Sequence, residues 1–210
     1  MSERYWIYGY HAVQAALNNS HRQVFRLVVL DIKNFPDPPR LKQEIVDKSF
    51  FQKKFGPQAV HQGVALEVGP LRRFYLEDAI DDQDGLILIL DQLTDPHNVG
   101  AIMRSAAAFG ARAVITTDRH APDITHPALI KAASGALEVV PYIKVANLAR
   151  TLEELKRHHY WIMGMDERAP TPLHQAPLTG KVVMVMGSEG EGMRRLTRDL
   201  CDFLFHIPTQ

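Results

Sequence analysis

The first third of the chain switches between helical and extended spacing of its apolar positions. Tyr10, Val13 and Leu17 recur on one face of a helix, whereas the β-branched, apolar run 24–30 is typical of a strand. The predicted elements are a helix over 8–17, a strand over 24–30, a proline-rich loop over 34–40, a helix over 41–55 and a strand over 63–68. Together they predict a small αβαβ unit that ends at Gly69 and Pro70.

The remainder of the chain alternates short apolar runs with amphipathic segments. Predicted strands or extended pieces cover 86–91, 113–117, 137–140, 160–164, 182–186 and 203–207, and predicted helices cover 98–109, 127–133, 148–158 and 191–199. Short apolar strands that alternate with helices are typical of a parallel sheet covered on both faces. This part therefore predicts an α/β fold.

An acidic cluster separates the two parts. Five acidic residues lie just before Gly85, namely Glu77, Asp78, Asp81, Asp82 and Asp84. Such a solvated segment fits a linker or an exposed helix. The predicted organisation is a small domain over 1–70, a linker over 71–85 and a larger domain over 86–210.

The composition is that of a globular protein, with 46% hydrophobic and 23% charged residues. The single cysteine, Cys201, excludes a disulfide within the chain, and its apolar surroundings favour a buried residue over a reactive thiol. No signal-peptide pattern is present, and the longest apolar run, over 86–90, is far shorter than the ~20 residues that cross a bilayer. We expect a cytoplasmic protein without membrane contact.

The formal net charge is zero, but the charges are unevenly distributed. Residues 1–70 carry nine lysines and arginines against six acidic residues, whereas residues 71–210 carry fifteen against eighteen. A basic small domain beside an acidic larger one favours a polyanion on the first and a different ligand in the second. A difference of three charges also arises by chance.

The loop after the strand 86–91 is the first candidate for chemistry. The chain turns at Asp95 and Pro96, Asn98 is placed to cap the following helix, and Arg104 lies almost two turns further on. Small residues surround Arg104 and permit close approach of a ligand or another helix. The alternative is an ordinary turn, a helix cap and a solvated arginine.

A glycine-rich loop after the strand 182–186 is the second candidate. Gly187, Gly190 and Gly192 form a G-x-x-G-x-G pattern, which is not the dinucleotide fingerprint, and no lysine follows to make a phosphate loop. Glu189 repels phosphates, so the loop suits a ligand bearing amines or hydroxyls. The alternative is a structural turn. The small residues over 131–136 indicate close packing, and no metal-ligand spacing is found.

Taken together, these loops resemble the SpoU/TrmH (SPOUT) family of RNA 2′-O-ribose methyltransferases. The segments 95–104, 185–193 and 205–208 are similar to its first, second and opening third motifs. The segments 8–13 and 61–65 are similar to the L30e-like domain that precedes the catalytic domain in many members. The resemblance covers nearly the whole chain.

The resemblance implies a trefoil-knotted α/β catalytic domain that uses S-adenosylmethionine (AdoMet), needs no metal and works as a homodimer. The implied catalytic residues are Arg104, Asn98 and Glu189, and the implied cofactor-binding residues are Gly187 and Ile207. Arg104 is implied to deprotonate the ribose hydroxyl. Because a guanidinium is a poor base, orientation of a phosphate and stabilisation of charge are equally open.

The small domain is implied to grip RNA, and Met165 and Asp166 are implied to form a wall of the AdoMet site. The candidate phosphate contacts are Arg22, Arg26, Lys42, Lys53 and Lys54. The implied substrate is a guanosine of large-subunit (23S) ribosomal RNA, with transfer RNA as the alternative. The sequence stops at Gln210, where the third motif should continue, so a non-catalytic RNA-binding protein is a further alternative.

Overall fold

The computed structural model describes residues 4–36, 38, 40–119 and 121–208, which form two sheets with helices packed on them. The small sheet consists of β1 (Tyr5–Tyr8), β2 (Val24–Val29), β3 (Gln43–Ile45) and β4 (Val64–Val68), with helices α1 (Tyr10–Asn18) and α2 (Lys48–Phe55). Its strand order is β1-β4-β2-β3; β4 is antiparallel to β1 and β2, and β3 is parallel to β2.

The predicted helix over 41–55 is wrong in its first half. Gln43–Ile45 forms β3, and the helix begins at Lys48 because Asp47 caps it by accepting the Phe50 N–H over 2.9 Å. The pairing of β3 with β2 is a contact between distant segments, which helical spacing does not reveal. The strand β1 was also missed, so two strands accompany the predicted αβαβ elements.

The large sheet has the order β7-β6-β5-β10-β8-β11-β9, and every pair is parallel. Its strands are β5 (Gly85–Leu90), β6 (Ala113–Thr117), β7 (Tyr142–Val145), β8 (Trp161–Met165), β9 (Thr171–Pro172), β10 (Lys181–Met186) and β11 (Phe203–His206). Its helices are α3 (Leu76–Ala79), α4 (Pro96–Ala108), α5 (Pro127–Ala133), α6 (Leu148–Arg157) and α7 (Arg195–Asp199). The predicted parallel α/β fold is confirmed, and the knot stays a prediction.

Both faces of the large sheet are covered, as predicted. On one face Leu88 and Leu90 pack against Met103 of α4 and Leu129 of α5. On the opposite face the side chains of β5, β6 and β8 pack against α6. None of the helices in the described residues has the length and apolar composition needed to cross a bilayer.

Two further predictions for this domain are wrong. Residues Ala136–Glu138 form a 3-10 turn instead of the extended piece expected over 137–140, and the strand follows as β7. The helix expected over 191–199 begins only at Arg195. Gly190 and Gly192 both have positive φ, which a continuing helix excludes.

The segment 71–85 packs on the large sheet. It contains α3, whose Ala79 is buried, and the Tyr160 hydroxyl donates to the Ala79 carbonyl over 3.3 Å. Phe74 and Leu76 pack against the same core. We retain the division into 1–70, 71–85 and 86–210 as a proposal, with a connecting segment that is anchored on the larger domain.

The small domain docks on the large one through a buried charged contact. Arg22 Nε lies 3.4 Å from Glu138 Oε1, and both side chains are almost completely buried. Arg22 also donates to the Tyr5 hydroxyl over 2.6 Å, and the Asn19 amide donates to Glu138 over 2.9 Å. The prediction that Arg22 contacts RNA phosphates is therefore wrong, because its guanidinium is enclosed between the domains.

The turn after α5 completes this contact. Ser134 and Gly135 both have positive φ, and a Cβ on Gly135 would lie 2.6 Å from Ala15 Cβ and 3.0 Å from the His11 carbonyl oxygen. The turn thus lies directly against α1. This explains the small residues over 131–136 and supports the structural reading of that segment.

Gly100 allows α4 and α5 to pack closely against each other. A Cβ there would lie 2.5 Å from Ala132 Cβ and 2.9 Å from the Leu129 carbonyl oxygen. We expect Gly100→Ala to lower the free energy of unfolding by about 1–3 kcal/mol through overpacking, although alanine favours helices by ~1 kcal/mol. Urea unfolding measures the change. The exposed Ser105→Ala on the same helix is the control, and equal effects of the two variants would contradict the packing argument.

Candidate active site

Two loops leave the same edge of the large sheet. The neighbouring parallel strands β5 and β10 end in register, with Leu90 opposite Met186. The Asp91 N–H extends their ladder by donating to the Met186 carbonyl over 2.8 Å. The loop into α4 and the glycine loop, defined as residues 187–192, therefore start side by side at the carboxyl edge, where parallel sheets bind ligands.

A buried carboxylate joins the two loops. Asp91 is fully buried and accepts hydrogen bonds from the Arg194 backbone N–H over 2.9 Å and from Arg194 Nε over 2.7 Å. A buried charge is costly unless it is paired and hydrogen-bonded, so Arg194 is held firmly against the end of β5. Neither role was predicted from the sequence, in which the available signal was an acidic residue at the end of an apolar strand.

Helix α4 begins two residues earlier than predicted, and Asp95 caps it in place of Asn98. Asp95 is the N-cap: its carboxylate accepts the His97 N–H over 3.0 Å, and Pro96 takes the first helical position. Proline is favoured there because its φ already suits a helix and the position needs no N–H. Asn98 is the third helical residue, and its exposed side chain is available to a substrate.

Arg104 lies on the exposed side of α4. Met103 beside it is buried against the sheet, whereas Ala101, Ser105 and Ala108 are exposed with Arg104. Across the described part of the chain, the guanidinium has no hydrogen-bond or ion-pair partner. Arg104 follows Asn98 by six positions, or ~9 Å along the helix axis. The side chain is therefore available for an external anion.

The glycine loop is folded tightly on itself. Ser188 and Gly192 exchange two backbone hydrogen bonds of 3.1 Å and 3.0 Å. A Cβ on Gly187 would lie 2.1 Å from the Gly192 carbonyl carbon and 2.2 Å from the Met193 nitrogen. Only glycine fits at position 187 without opening the loop. Glu189 lies at the tip with an exposed side chain.

A cavity of about 320 Å³ lies against this loop. Gly187, Met165 and Asp166 line it, which brings together three of the predicted positions. Met186, Met193 and Glu191 also line it, and none of these was predicted. The wall thus combines sulfur-containing apolar side chains and carboxylates with two arginines, Arg168 and Arg198.

The other predicted site residues lie outside this cavity. Met186 packs with the α4 face of the sheet and Met193 with the α6 face, so the loop that carries Glu189 crosses the sheet edge. Arg104 does not line the cavity, and Ile207 is exposed just after β11. The roles of these residues and of Asn98 stay predictions.

Two family profiles match the chain. The one described as "SpoU rRNA Methylase family" matches residues 85–210, more than half of the chain. The chain belongs to the SpoU rRNA methylase family. The second profile, "RNA 2'-O ribose methyltransferase substrate binding", matches residues 6–74 and thus covers the small domain of this SpoU protein.

Curated relatives of the SpoU chain carry the name 23S rRNA (guanosine-2'-O-)-methyltransferase RlmB. The protein from Pseudomonas syringae pv. tomato is 39% identical over 99% of this chain and 88% of the relative. The protein from Pasteurella multocida is 41% identical over 99% of this chain and 89% of the relative. The protein from Escherichia coli K12 is 40% identical over 96% of this chain and 88% of the relative.

Solved structures share the fold. The SpoU methyltransferase AviRb from Streptomyces viridochromogenes, in complex with AdoMet, superposes with a TM-score of 0.79 at 22% identity and covers 99% of this chain and 82% of that chain. A structure described as an RNA 2'-O ribose methyltransferase gives a TM-score of 0.81 at 22% identity, and the superposition covers 100% of this chain and 81% of that chain. At this identity the likeness establishes the fold of the SpoU protein.

The small domain of the SpoU chain has a surface of aromatic rings and cations. The Arg26 guanidinium and the Lys54 ammonium lie 5.9 Å and 5.7 Å from the Trp6 ring centroid. Lys42 and Lys53 are exposed, and Arg26 also donates to Glu44 over 2.6 Å. These four cations are the predicted RNA contacts that the structure leaves accessible.

Two further predictions for the SpoU chain concern residues near its end. Cys201 donates to the Thr197 carbonyl over 3.3 Å, and burial raises the pKa of its thiol to about 12, which supports the unreactive reading. The expected break in the third motif falls on Thr209 and Gln210, which lie outside the described residues. In the described ranges no cluster of three or more His, Cys, Asp or Glu is placed to hold a metal.

Proposed function

We propose that this protein transfers a methyl group from AdoMet to the ribose 2′-hydroxyl of a guanosine in 23S ribosomal RNA. The observation that carries the proposal is the 39–41% identity to RlmB proteins along nearly the whole chain. The geometry supports it, because the two motif loops start side by side at the ligand-binding edge of the sheet. We place the reaction in the cytoplasm, since the substrate of the relatives is ribosomal RNA.

The cavity beside the glycine loop fits AdoMet. Its volume of about 320 Å³ lies within the roughly 300–1,000 Å³ of small-molecule sites. Met165, Met186 and Met193 offer apolar contacts to a purine, and Glu191 offers an acceptor to hydroxyl or ammonium groups. Asp166 also lines the cavity, where Arg198 Nε already lies 2.9 Å from its carboxylate. AdoMet supplies an electrophilic methyl group on its sulfonium. Gly187 and Ile207 remain our proposed backbone contacts to it.

We assign Arg104 to orient an RNA phosphate and to stabilise the negative charge that develops on the ribose oxygen. A guanidinium donates strong hydrogen bonds and is a poor proton acceptor, so positioning and electrostatic stabilisation suit it better than general-base catalysis. Asn98 and Glu189 complete the proposed site as polar partners of the ribose or of Arg104.

We also propose that the protein works as a homodimer in which Arg104 of one subunit serves the cavity of the other. Within one chain Arg104 faces solvent on α4 and does not line the cavity beside Gly187. The exposed side of α4 presents small residues, and Phe109 at its end is 84% exposed. Such a surface permits close packing of a second helix and gains from burial.

Transfer RNA is less well supported as the substrate. The solved TrmH/SpoU tRNA modifying enzyme of A. aeolicus covers 64% of this chain with a TM-score of 0.54. The RlmB relatives instead match the chain over both domains. RNA contact by the small domain is proposed for Arg26, Lys42, Lys53 and Lys54.

The decisive experiment pairs a cofactor measurement with product analysis. We expect Gly187→Ala to weaken AdoMet binding at least about tenfold, because the added methyl group must displace the Gly192 and Met193 backbone. Calorimetry measures the affinity, and mass spectrometry of 23S rRNA detects 2′-O-methylguanosine. Gly100→Ala is the control, since its Cβ is also crowded but lies between α4 and α5, away from this cavity. Wild-type protein that leaves the rRNA unmethylated would overturn the proposed function.

A further inference from the structure

Asp91 lies outside the cavity but contacts the chain on both sides of the glycine loop. Its backbone N–H donates to the carbonyl of Met186, the residue before the loop, over 2.8 Å. Its carboxylate accepts the N–H of Arg194, two residues after the loop, over 2.9 Å. The loop therefore starts and ends at the same point, beside the end of β5. The function proposed above gives Asp91 no role.

This contact requires a carboxylate. Asp91 Oδ2 accepts the Arg194 backbone N–H, and Oδ1 accepts Arg194 Nε over 2.7 Å. An asparagine of the same shape has one acceptor and one NH₂ donor, so it can accept only one of these hydrogen bonds and turns its NH₂ group toward the other donor. Because the side chain is fully buried, bulk water does not replace the lost partner. Shape alone therefore does not account for an aspartate at this position, whereas its two acceptors do.

The contact acts on the cavity through Met193, which precedes Arg194 and lines the cavity. A Cβ on Gly187 would lie 2.2 Å from the Met193 nitrogen, so the two ends of the loop pack directly on each other. The bonds from Arg194 to Asp91 hold Met193 in this place. Without them the second half of the loop is free to move away from the first, and the cavity loses part of its wall.

A second ion pair holds helix α7 on its other side. Arg198, one turn after Arg194, has its Nε 2.9 Å from Asp166 Oδ2, and Asp166 directly follows β8. In the sheet, β5 and β8 are the two neighbours of β10, the strand that leads into the glycine loop. Arg198 and Asp166 themselves line the cavity, whereas Asp91 does not. Asp91 is thus the member of this arrangement that can affect a ligand only through the loop.

We propose that Asp91 is a positioning residue for the methyl-donor site: through Arg194 it holds the glycine loop in the conformation that binds AdoMet. This rests on the proposed function, which places AdoMet in the adjoining cavity. Because Asp91 is fully buried and does not line the cavity, it touches neither the cofactor nor the RNA. Its loss therefore weakens cofactor binding and leaves RNA binding intact.

The first experiment measures the loop in the absence of ligand. In amide hydrogen exchange of the whole chain, Asp91→Asn should speed exchange at Ser188 and Gly192 at least about tenfold, because a hydrogen bond to a charged group that holds the loop is lost. These two amides form the backbone hydrogen bonds that close the loop. Wild-type exchange rates at both amides in Asp91→Asn would overturn the proposal.

Asp202→Asn is the matched control for this experiment. Asp202 likewise accepts one backbone N–H, from Ile162 over 2.8 Å, and one cation, from Lys156 Nζ over 2.6 Å. It lies at the opposite edge of the sheet, where β8 and β11 begin. The loop amides should therefore exchange in Asp202→Asn as they do in the wild type, and equal acceleration in the two variants would contradict a specific role of Asp91.

The second experiment measures the cofactor. Asp91→Asn should weaken AdoMet binding in calorimetry about tenfold, as expected for loss of one charge-assisted hydrogen bond. In steady-state methylation its KM for AdoMet should rise by a similar factor, whereas its KM for RNA stays at the wild-type value. Arg194→Lys replaces Nε with a methylene group but keeps a cation beside the buried carboxylate. It should weaken AdoMet binding in the same direction, and it decides the question if Asp91→Asn does not fold.

Two results would refute the positioning role. One is an AdoMet affinity of Asp91→Asn or, if that variant does not fold, of Arg194→Lys that equals the affinity of Asp202→Asn. The other is an equal rise of both KM values, which marks a general distortion of the active site. Wild-type protein that binds no AdoMet would instead overturn the proposed function, and the exchange rates would still decide whether Asp91 holds the loop.

Discussion

Replacing Arg104 with alanine should lower the rate of methyl transfer to 23S rRNA by roughly 100-fold or more while the fold and AdoMet binding persist. The expected magnitude is that of removing one donor that stabilises charge in a transition state. Because Arg104 is exposed and unpaired in the described chain, its loss should change the free energy of unfolding by less than about 0.5 kcal/mol. Single-turnover methylation and thermal unfolding measure the two quantities.

Two controls test whether the loss of rate is specific to Arg104 and whether the site is shared between subunits. Arg157→Ala removes an exposed arginine from α6 and should leave the rate unchanged. Mixing the Arg104→Ala and Gly187→Ala proteins should restore part of the activity, because one shared site in each mixed dimer then contains an intact arginine and an intact cavity. A near-normal rate for Arg104→Ala alone would refute the assigned role, and failure of the mixture would refute sharing between subunits.

Elements whose apolar spacing reflects burial were predictable from the sequence. The strand Ala113–Thr117 has the predicted bounds because its apolar residues are buried on both faces of the sheet, and the helix Pro127–Ala133 because Leu129 and Ala133 face one core. β3 was not predictable, since its three residues include Gln43 and Glu44 and none of them is buried. β7 was expected a few residues too early, over 137–140, where the chain forms a 3-10 turn. The start of α7 was mispredicted because positive φ at two glycines outweighs helical spacing.

Residues of the candidate site were likewise predictable only where a local sequence pattern marks them. Gly187 was predictable because a glycine-rich turn after an apolar strand is a local pattern. The pairing of Asp91 with Arg194 joins residues about a hundred positions apart, and only the adjacency of β5 and β10 brings them together. Arg22 shows the opposite error: a cation in a basic domain suggests nucleic acid, yet the fold encloses it against Glu138.

That enclosed pair leads to the second prediction. Arg22→Met should lower the free energy of unfolding by about 3–5 kcal/mol near neutral pH, because Glu138 is left buried without its counter-charge. Arg26→Met is the matched control: it removes the same charge from an exposed pair with Glu44 and should cost less than about 1 kcal/mol. Urea unfolding of the two variants gives the comparison.

The pH dependence distinguishes an uncompensated charge from lost packing. Burial raises the pKa of Glu138 even in the wild type, against the opposing effects of Arg22 and Asn19, and loss of Arg22 raises it further. A carboxyl whose pKa is higher in the folded state contributes stability that is present below its unfolded pKa and lost as pH rises through the folded value. The cost of Arg22→Met should therefore be smaller near about pH 5 than near about pH 8. An equal cost at both values would mean that packing, and not the buried carboxylate, joins the two domains.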